Sequence, residues 1–471
     1  MKKLAIVLST AVLLITVVAI SALAQGSIPY IVGIQIKNLD NSNTAPVSVR
    51  YYNKDNGELE SSFEIPNGGI PPGDSFTMAT LQGVSDGFDG SAVITSDFQI
   101  AAIANVFGNG FSGMGASYTA FTAGATNINL PLILRNHFGF TTWFNVQNAS
   151  PSNESTTVTV TYNNGESESR QIQPGAAWTF NQADISNLLP DPYPAPNDAG
   201  FVGSATITSD NNVPIVASLL QQGPTTLLGY DSFRDSQAST NPVMPLVNSN
   251  NFGFITGIQI QNIGTINTEV TISYTASLEG NNCTETKSVL AESSTTFAAN
   301  AFRITEADEN CADGETFIGS ATVTSNSANQ PLVAIVNQLN NSTNKGAAYG
   351  AFNPANGTST VELPLIMDRN FDYYTGYSIA NVGTTEVNIT CTYTGSPDTP
   401  SNSTTNPLPP GGAFTIVNLN QLGNPYVGAA TCLASNNNLV DTNPPQIVGI
   451  VNELNSNATS DSFLVYEGTN R

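Results

Sequence analysis

The sequence predicts an all-β protein of four tandem immunoglobulin-like β-sandwich domains in an elongated array. Three observations predict it. A strand-like pattern ending in Asn occurs at Ile34-Gln35-Ile36-Lys37-Asn38, Phe144-Asn145-Val146-Gln147-Asn148, Ile258-Gln259-Ile260-Gln261-Asn262 and Tyr377-Ser378-Ile379-Ala380-Asn381. A second marker keeps almost the same period, at Phe88-Asp89-Gly90-Ser91-Ala92, Phe201-Val202-Gly203-Ser204-Ala205, Phe317-Ile318-Gly319-Ser320-Ala321 and Tyr426-Val427-Gly428-Ala429-Ala430. The Asn residues stand 110, 114 and 119 positions apart and the glycines 113, 116 and 109, the size of a small domain and not of a solenoid turn. Within each period, short β-branched runs alternate with turn signals at the spacing of a seven-stranded sandwich.

The chain opens with Met1-Lys2-Lys3, an apolar run from Leu4 to Ile20 and Ala22-Leu23-Ala24. This is the pattern of a secretory signal peptide over 1–24, cleaved to leave Gln25; an uncleaved membrane anchor is the alternative. Repeats then fall at 25–125, 126–239, 240–359 and 360–471. The second is the clearest copy. Thr156–Tyr162 alternates β-branched residues, Asn163-Asn164-Gly165 is a hairpin turn, and Gln173-Pro174-Gly175 leads into Trp178-Thr179-Phe180. Strands follow at Gly203–Ser209, Pro214–Leu220 and Leu227–Phe233, with one helical turn at most, over Asp184–Leu189. The third repeat departs from the pattern at its Pro-Gly turn, where it has Ala291-Glu292-Ser293, and the fourth has Ala429 in place of the marker serine.

A strand ending in Gln-Asn, a Pro-Gly turn, Phe-Val-Gly-Ser-Ala-Thr-Ile-Thr-Ser-Asp and then Ile-Val-Ala together resemble the tandem β-sandwich repeats of secreted, Chloroflexi-type bacterial surface proteins. The resemblance covers the chain beyond the leader and contains no active-site motif. It implies an extracellular structural or adhesive role.

Composition narrows the partners. Formal charge is −23, becoming −25 without Lys2 and Lys3, so nucleic acid and anionic lipid are excluded as partners. The expected partners are other copies of the chain or cell-surface proteins and glycans. The four cysteines pair most simply as Cys283–Cys311 and Cys391–Cys432 in an oxidising space, each closing a loop worth roughly 3–4 kcal/mol. The first bond is expected to staple surface loops and the second to cross between sheets.

Catalytic and metal chemistry find little footing. His137, the only histidine, sits in the connector Arg135-Asn136-His137-Phe138-Gly139, where other repeats have Asn251 or Asn370. No enzyme activity and no cofactor are expected. Calcium is the best ion candidate, through the acidic loop containing Glu306, Asp308, Glu309, Asp313 and Glu315. A solvated acidic loop is the simpler expectation. Trp143 offers an aromatic platform for a carbohydrate, which makes a secreted sugar-binding protein the alternative function; Trp178 is expected to be buried. An assembly strand is expected at Ile28, Pro29, Tyr30, Ile31 and Val32, pairing with an open edge of the fourth repeat in a neighbouring molecule, against a plainer arrangement in which it packs on its own sheet.

Overall fold

The computed structural model describes residues 11–15, 30–108, 113–150, 153–188, 200–297, 315–327, 329–396, 402–404, 407–423, 425–436, 443–455 and 457–471. All sheet pairings among them are antiparallel, and no α-helix occurs; three short 3-10 turns are the only helical elements. Each repeat contributes two groups of strands. In the second, Thr141–Asn148 lies between Ala177–Asn181 and Ile215–Gln222, with Leu227–Asp231 at the edge. Its other sheet runs Ser167–Ile172, Thr156–Tyr162, Phe201–Ser209, Asn127–Arg135 and Phe233–Arg234. In the fourth repeat the corresponding groups join into one sheet, because Thr360–Asn370 also pairs with Tyr373–Asn381.

The repeated residues have physical reasons to recur. The marker asparagines are buried and pin the loops that follow. Asn38 donates through Nδ2 to the carbonyls of Asn43 (2.8 Å) and Ile70 (3.0 Å), and Asn381 does the same to Thr385 (2.8 Å) and Leu408 (2.9 Å). The marker glycine is required because a Cβ there would collide with backbone or a side chain: 2.0 Å from the Tyr52 carbonyl at Gly90, and 2.1 Å from Asn163 Oδ1 at Gly203, from the Thr275 carbonyl at Gly319 and from the Thr394 carbonyl at Gly428.

The prolines of the connectors also have a partner. Register shifts between Gly203 and Ala205, between Met244 and Val247, and between Leu363 and Ile366 mark bulges around Pro131, Pro245 and Pro364. The leucine after each proline loses its place in the ladder. A buried tyrosine hydroxyl replaces it: Tyr230 donates to the Leu132 carbonyl (2.8 Å), Tyr349 to Leu246 (2.6 Å) and Tyr466 to Leu365 (2.5 Å), each also accepting the same leucine's N–H. Tyr349→Phe leaves both groups buried without that partner. A loss of about 1–3 kcal/mol in denaturant unfolding is expected.

The four repeats do not form an elongated array. They close into a ring. The strands Met114–Thr119, Leu227–Asp231, Lys345–Gly350 and Phe463–Glu467 touch in sequence around one axis, the last contacting the first. Each repeat's core is completed by the next: Trp143 and Leu220 enter the first, Val333 and Ile335 the second, Ile450 and Phe463 the third, and Ile103 and Phe107 of the first repeat enter the fourth. The elongated expectation failed because continuous connectors fix spacing and say nothing about curvature.

The marker serine is one half of this contact. Ser91 Oγ donates to the Gly175 carbonyl (3.3 Å) and Ser320 Oγ to the Gly411 carbonyl (2.8 Å), so the Gly-Ser-Ala strand of one repeat grips the Pro-Gly turn of the next. The two departures in the pattern fall on the two remaining seams. The third repeat lacks the Pro-Gly turn, and Ser204 Oγ facing it has no hydrogen-bond partner. The fourth lacks the serine, and the Gly73 carbonyl instead accepts from Lys37 Nζ (3.3 Å) and Thr394 Oγ1 (3.2 Å).

The connector strands belong to the repeat that follows them. Tyr30, Ile31 and Val32 begin the first repeat's own strand, Tyr30–Asn38, opposite Gly108, Phe107 and Val106; Ile28 and Pro29 lie outside the described residues. At the fourth repeat's Pro strand, Thr469–Asn470 pairs with Glu362 and Val361. The place that a Pro strand fills beside Phe201–Ser209, Phe317–Ser325 and Tyr426–Asn436 is taken in the first repeat by Ala11–Ile15, which pairs with Ala92–Ser96 of Gly90–Ser96. A chain starting at Gln25 is expected to unfold at lower temperature than the full chain, because the Gly90–Ser96 strand then loses one ladder partner; equal midpoints in thermal scans contradict this.

Cys391 and Cys432 are bonded, with Cα atoms 3.9 Å apart, but as opposite residues on adjacent strands of one sheet, so the bond does not cross between sheets. Cys283 is disulfide-bonded and buried in the third repeat's core opposite Tyr274, not in a surface loop; Cys311 lies outside the described residues.

Candidate functional site

The ring has two distinguishable ends, because its four axial strands run in the same direction. At their starts, the Asp461 carboxylate accepts from the N–H groups of Leu227 (2.8 Å) and Gly346 (2.9 Å). At their finishes, Thr119, Asp231, Gly350 and Glu467 come together.

The starting end carries the most unusual surface residues. Phe138, Phe252 and Phe371 are 68%, 95% and 87% exposed, respectively, and all three have positive φ, at 48°, 47° and 50°. Each is the first residue of a two-residue hairpin turn, closed by the pairs His137–Phe140, Asn251–Phe254 and Asn370–Tyr373. The second residues, Gly139, Gly253 and Asp372, also have positive φ, so these are type I′ turns. Asn or Gly suits the first position, whereas a bulky side chain costs about 1 kcal/mol there. Phe also places a large apolar surface in water. Neither choice helps folding, yet three repeats make both. Two of the turns are held alike: the Phe252 carbonyl accepts from Asn340 Nδ2 (3.0 Å) and the Phe371 carbonyl from Asn455 Nδ2 (3.3 Å). The signal was present in the sequence as Asn-Phe-Gly or a close variant in each connector, but the eye falls first on His137. That residue is half-buried beside Phe138, at 4.6 Å between ring centroids.

At the finishing end, all four repeats line a small pocket of about 240 Å³. Glu467 accepts from the Gly350 N–H (2.5 Å) and Thr119 Oγ1 (3.1 Å), and Asp231 from the Thr119 N–H (2.9 Å) and Ser218 Oγ (3.3 Å). Burial, and for Asp231 the neighbouring Glu467 charge, hold both carboxyls above their ordinary range.

The other expected site residues are not gathered into a site. Trp143 is 2% exposed and packs edge-on against Tyr30 of the first repeat at 6.3 Å, which removes it as a sugar platform. Trp178 is only partly buried, with the Arg170 guanidinium 4.4 Å above its ring. Of the calcium candidates, Glu315 is exposed and its carbonyl accepts from Ser249 Oγ (3.1 Å); Glu306, Asp308, Glu309 and Asp313 lie outside the described residues. Among the described residues no group of three or more His, Cys, Asp and Glu is placed to hold a metal ion, and no helix is long and apolar enough to cross a membrane.

No family model matches the chain, and no curated protein does. Among solved structures the chain shows 12% identity to a tetra-tandem repeat in the extending region of a large adhesion protein, covering 92% of this chain and 93% of that one, with a TM-score of 0.10. A score this low carries no argument about fold or function.

Proposed function

We propose that the protein is a secreted structural or adhesive component of a cell surface or extracellular matrix. In this proposal its four repeats are immunoglobulin-like modules, and it acts through the end of the ring that presents Phe138, Phe252 and Phe371. The supporting observation is the recurrence of an exposed aromatic at positive φ in three repeats, all at one end. Strain and exposure together are retained where a surface has work outside the fold. The acidic surface, at net −23, keeps such a protein dispersed until an apolar contact is made.

The test separates adhesion from folding. The triple variant Phe138→Asn, Phe252→Asn, Phe371→Asn places the preferred residue in each turn. Its stability is expected to stay level or rise by up to about 1 kcal/mol per site. Retention of protein-coated beads on apolar and protein-coated surfaces is expected to fall severalfold. Undiminished retention would show that these residues are not the contact surface.

A further inference from the structure

The seam between the fourth and first repeats holds a solvent-open cavity of about 580 Å³, whose lining includes Phe371 of the proposed contact surface. Its walls are mainly apolar: Met78 and Phe107 from the first repeat, Leu365, Met367 and Tyr373 from the fourth. Two small residues leave room for it. In the first repeat Gly33 lies opposite Asn105, whereas in the second the same pair of positions holds Trp143 and Leu220. Trp143 and Leu220 fill the seam between the first and second repeats with side chain. Gly33 and Asn105, like Gly257 with Asn337 and Gly376 with Asn452 in the third and fourth repeats, put no such bulk at the seam.

Three of the residues lining this cavity each carry a buried oxygen with no hydrogen-bond partner: Gln35 Oε1, Asn105 Oδ1 and Glu453 Oε1. The other ends of these side chains are engaged. Gln35 Nε2 donates to Ser75 Oγ (2.8 Å), and Asn105 Nδ2 donates to Glu453 Oε2 (2.9 Å). Gln35 is 3% exposed and Glu453 1%. Buried acceptors are ordinarily satisfied, and a cavity of this size with an apolar wall and a few uncommitted polar atoms has the make-up of a small-molecule site.

With Glu453 ionised, the unmet demand is for donors only. We propose that this cavity binds an organic cation, an apolar body of about aromatic-ring size carrying a primary ammonium that donates to Glu453, Asn105 and Gln35. An ammonium presents three donors and no acceptor, matching a set composed entirely of oxygens. Its charge answers a carboxyl for which the described cavity lining provides no cation. The titratable groups near Glu453 are Tyr373 on the adjoining strand, Tyr466 on the axial strand, Asp372 on the turn and Asp461. The cation in these surroundings, Lys345, faces Asp461 and donates to the Ser460 carbonyl and Ser462 Oγ. Burial holds Glu453 up at about 8, so an incoming ammonium ionises it and binding strengthens as pH rises towards that value.

The probes are phenethylamine and its uncharged counterpart 2-phenylethanol, titrated calorimetrically into the full chain between pH 6 and 9. The amine is expected to bind about tenfold or more tightly than the alcohol, the margin of a hydrogen bond to a charged group. Glu453→Gln is expected to reduce the amine to the affinity of the alcohol. Gly33→Trp, which copies the second repeat, is expected to abolish both; Leu365→Phe narrows the cavity from the opposite wall if the Trp variant does not fold. Equal binding of amine and alcohol, or amine binding that survives Glu453→Gln or the folded cavity-filling variant, would overturn the proposal, as would no binding of either probe.

Discussion

Replacing Lys37 with Met is expected to destabilise the chain by about 3–5 kcal/mol, the cost of stranding a buried partner charge. Lys37 is 1% exposed, and its Nζ lies 3.3 Å from Glu362 Oε2 across the seam that joins the first repeat to the fourth. It also donates to the Gly73 carbonyl and to Thr431 Oγ1, both at 3.3 Å. Glu362 keeps two partners without it, Arg471 Nε at 3.3 Å and Thr431 Oγ1 at 2.6 Å, so the loss should fall towards the lower end of the range. Burial first, and then the Arg471 charge, lower the Lys37 pKa, while the Glu362 charge and hydrogen bond and the Asp74 charge oppose that effect. The double variant Lys37→Met, Glu362→Met removes both charges and is expected to recover most of the loss, because a buried pair is often no better than apolar residues of similar volume. Urea midpoints measure both. Hydrogen exchange places the effect: amides of Tyr30–Asn38 should exchange faster in the single variant, while those of Ile255–Asn262, across the ring, should not. Uniform acceleration would mean that the ring opens as one unit and that this seam is not separately held.

The contrast between this seam and the repeat pattern explains what the sequence disclosed. Asn38, Asn148, Asn262 and Asn381 recur because each repeat must pin its own loop, and a need met four times within one chain leaves a period that can be read. The alternation in Thr156–Tyr162 was legible for a similar reason: one face is buried, and the strand has the bounds its β-branched run suggests. The role of Ser91 was not legible, because its acceptor, Gly175, is 84 residues away and the contact crosses two repeats. Even so, the two places where the pattern lapses, Glu292 and Ala429, are the two seams without a Ser-to-turn bond. Lys37 and Glu362 occur once each and lie in repeats that a linear reading places at opposite ends. Nothing periodic joins them. The disulfide partners Cys391 and Cys432 were legible as a pair, but placing them side by side in one sheet required knowing that Val387–Ser396 and Tyr426–Asn436 are neighbours.

Glu453 should make the protein less stable as pH rises from mildly acidic to mildly alkaline values. Its carboxyl is fully buried, and burial raises its pKa from 4.5 to about 8. A raised pKa in the folded state means that folding favours the proton. The acid is neutral in both states below about 4.5, so no cost is present there; stability then falls through the window up to about 8 and levels off above it. At 1.36 kcal/mol per pH unit, the accumulated cost at pH 7 is about 3 kcal/mol. The quasi-equivalent seams show what the position requires. Gln221 and Asn337 exchange hydrogen bonds of 3.0 and 2.8 Å, and Gln338 and Asn452 exchange 3.2 and 3.3 Å, each pair supplying a donor and an acceptor in both directions. Glu453 meets Asn105 in the same arrangement, and only its protonated form has a donor to return. Glu453→Gln should therefore gain about 3 kcal/mol at pH 7 and nothing below pH 4.5. Asp461, also raised to about 8 by burial, and the raised carboxyls of Asp231 and Glu467 impose slopes of the same sign on both proteins. The diagnostic quantity is thus the difference between variant and parent, which should grow across pH 4.5–8 and then stay constant. A difference independent of pH would show that Glu453 is ionised in the folded protein and that the seam closes around a carboxylate.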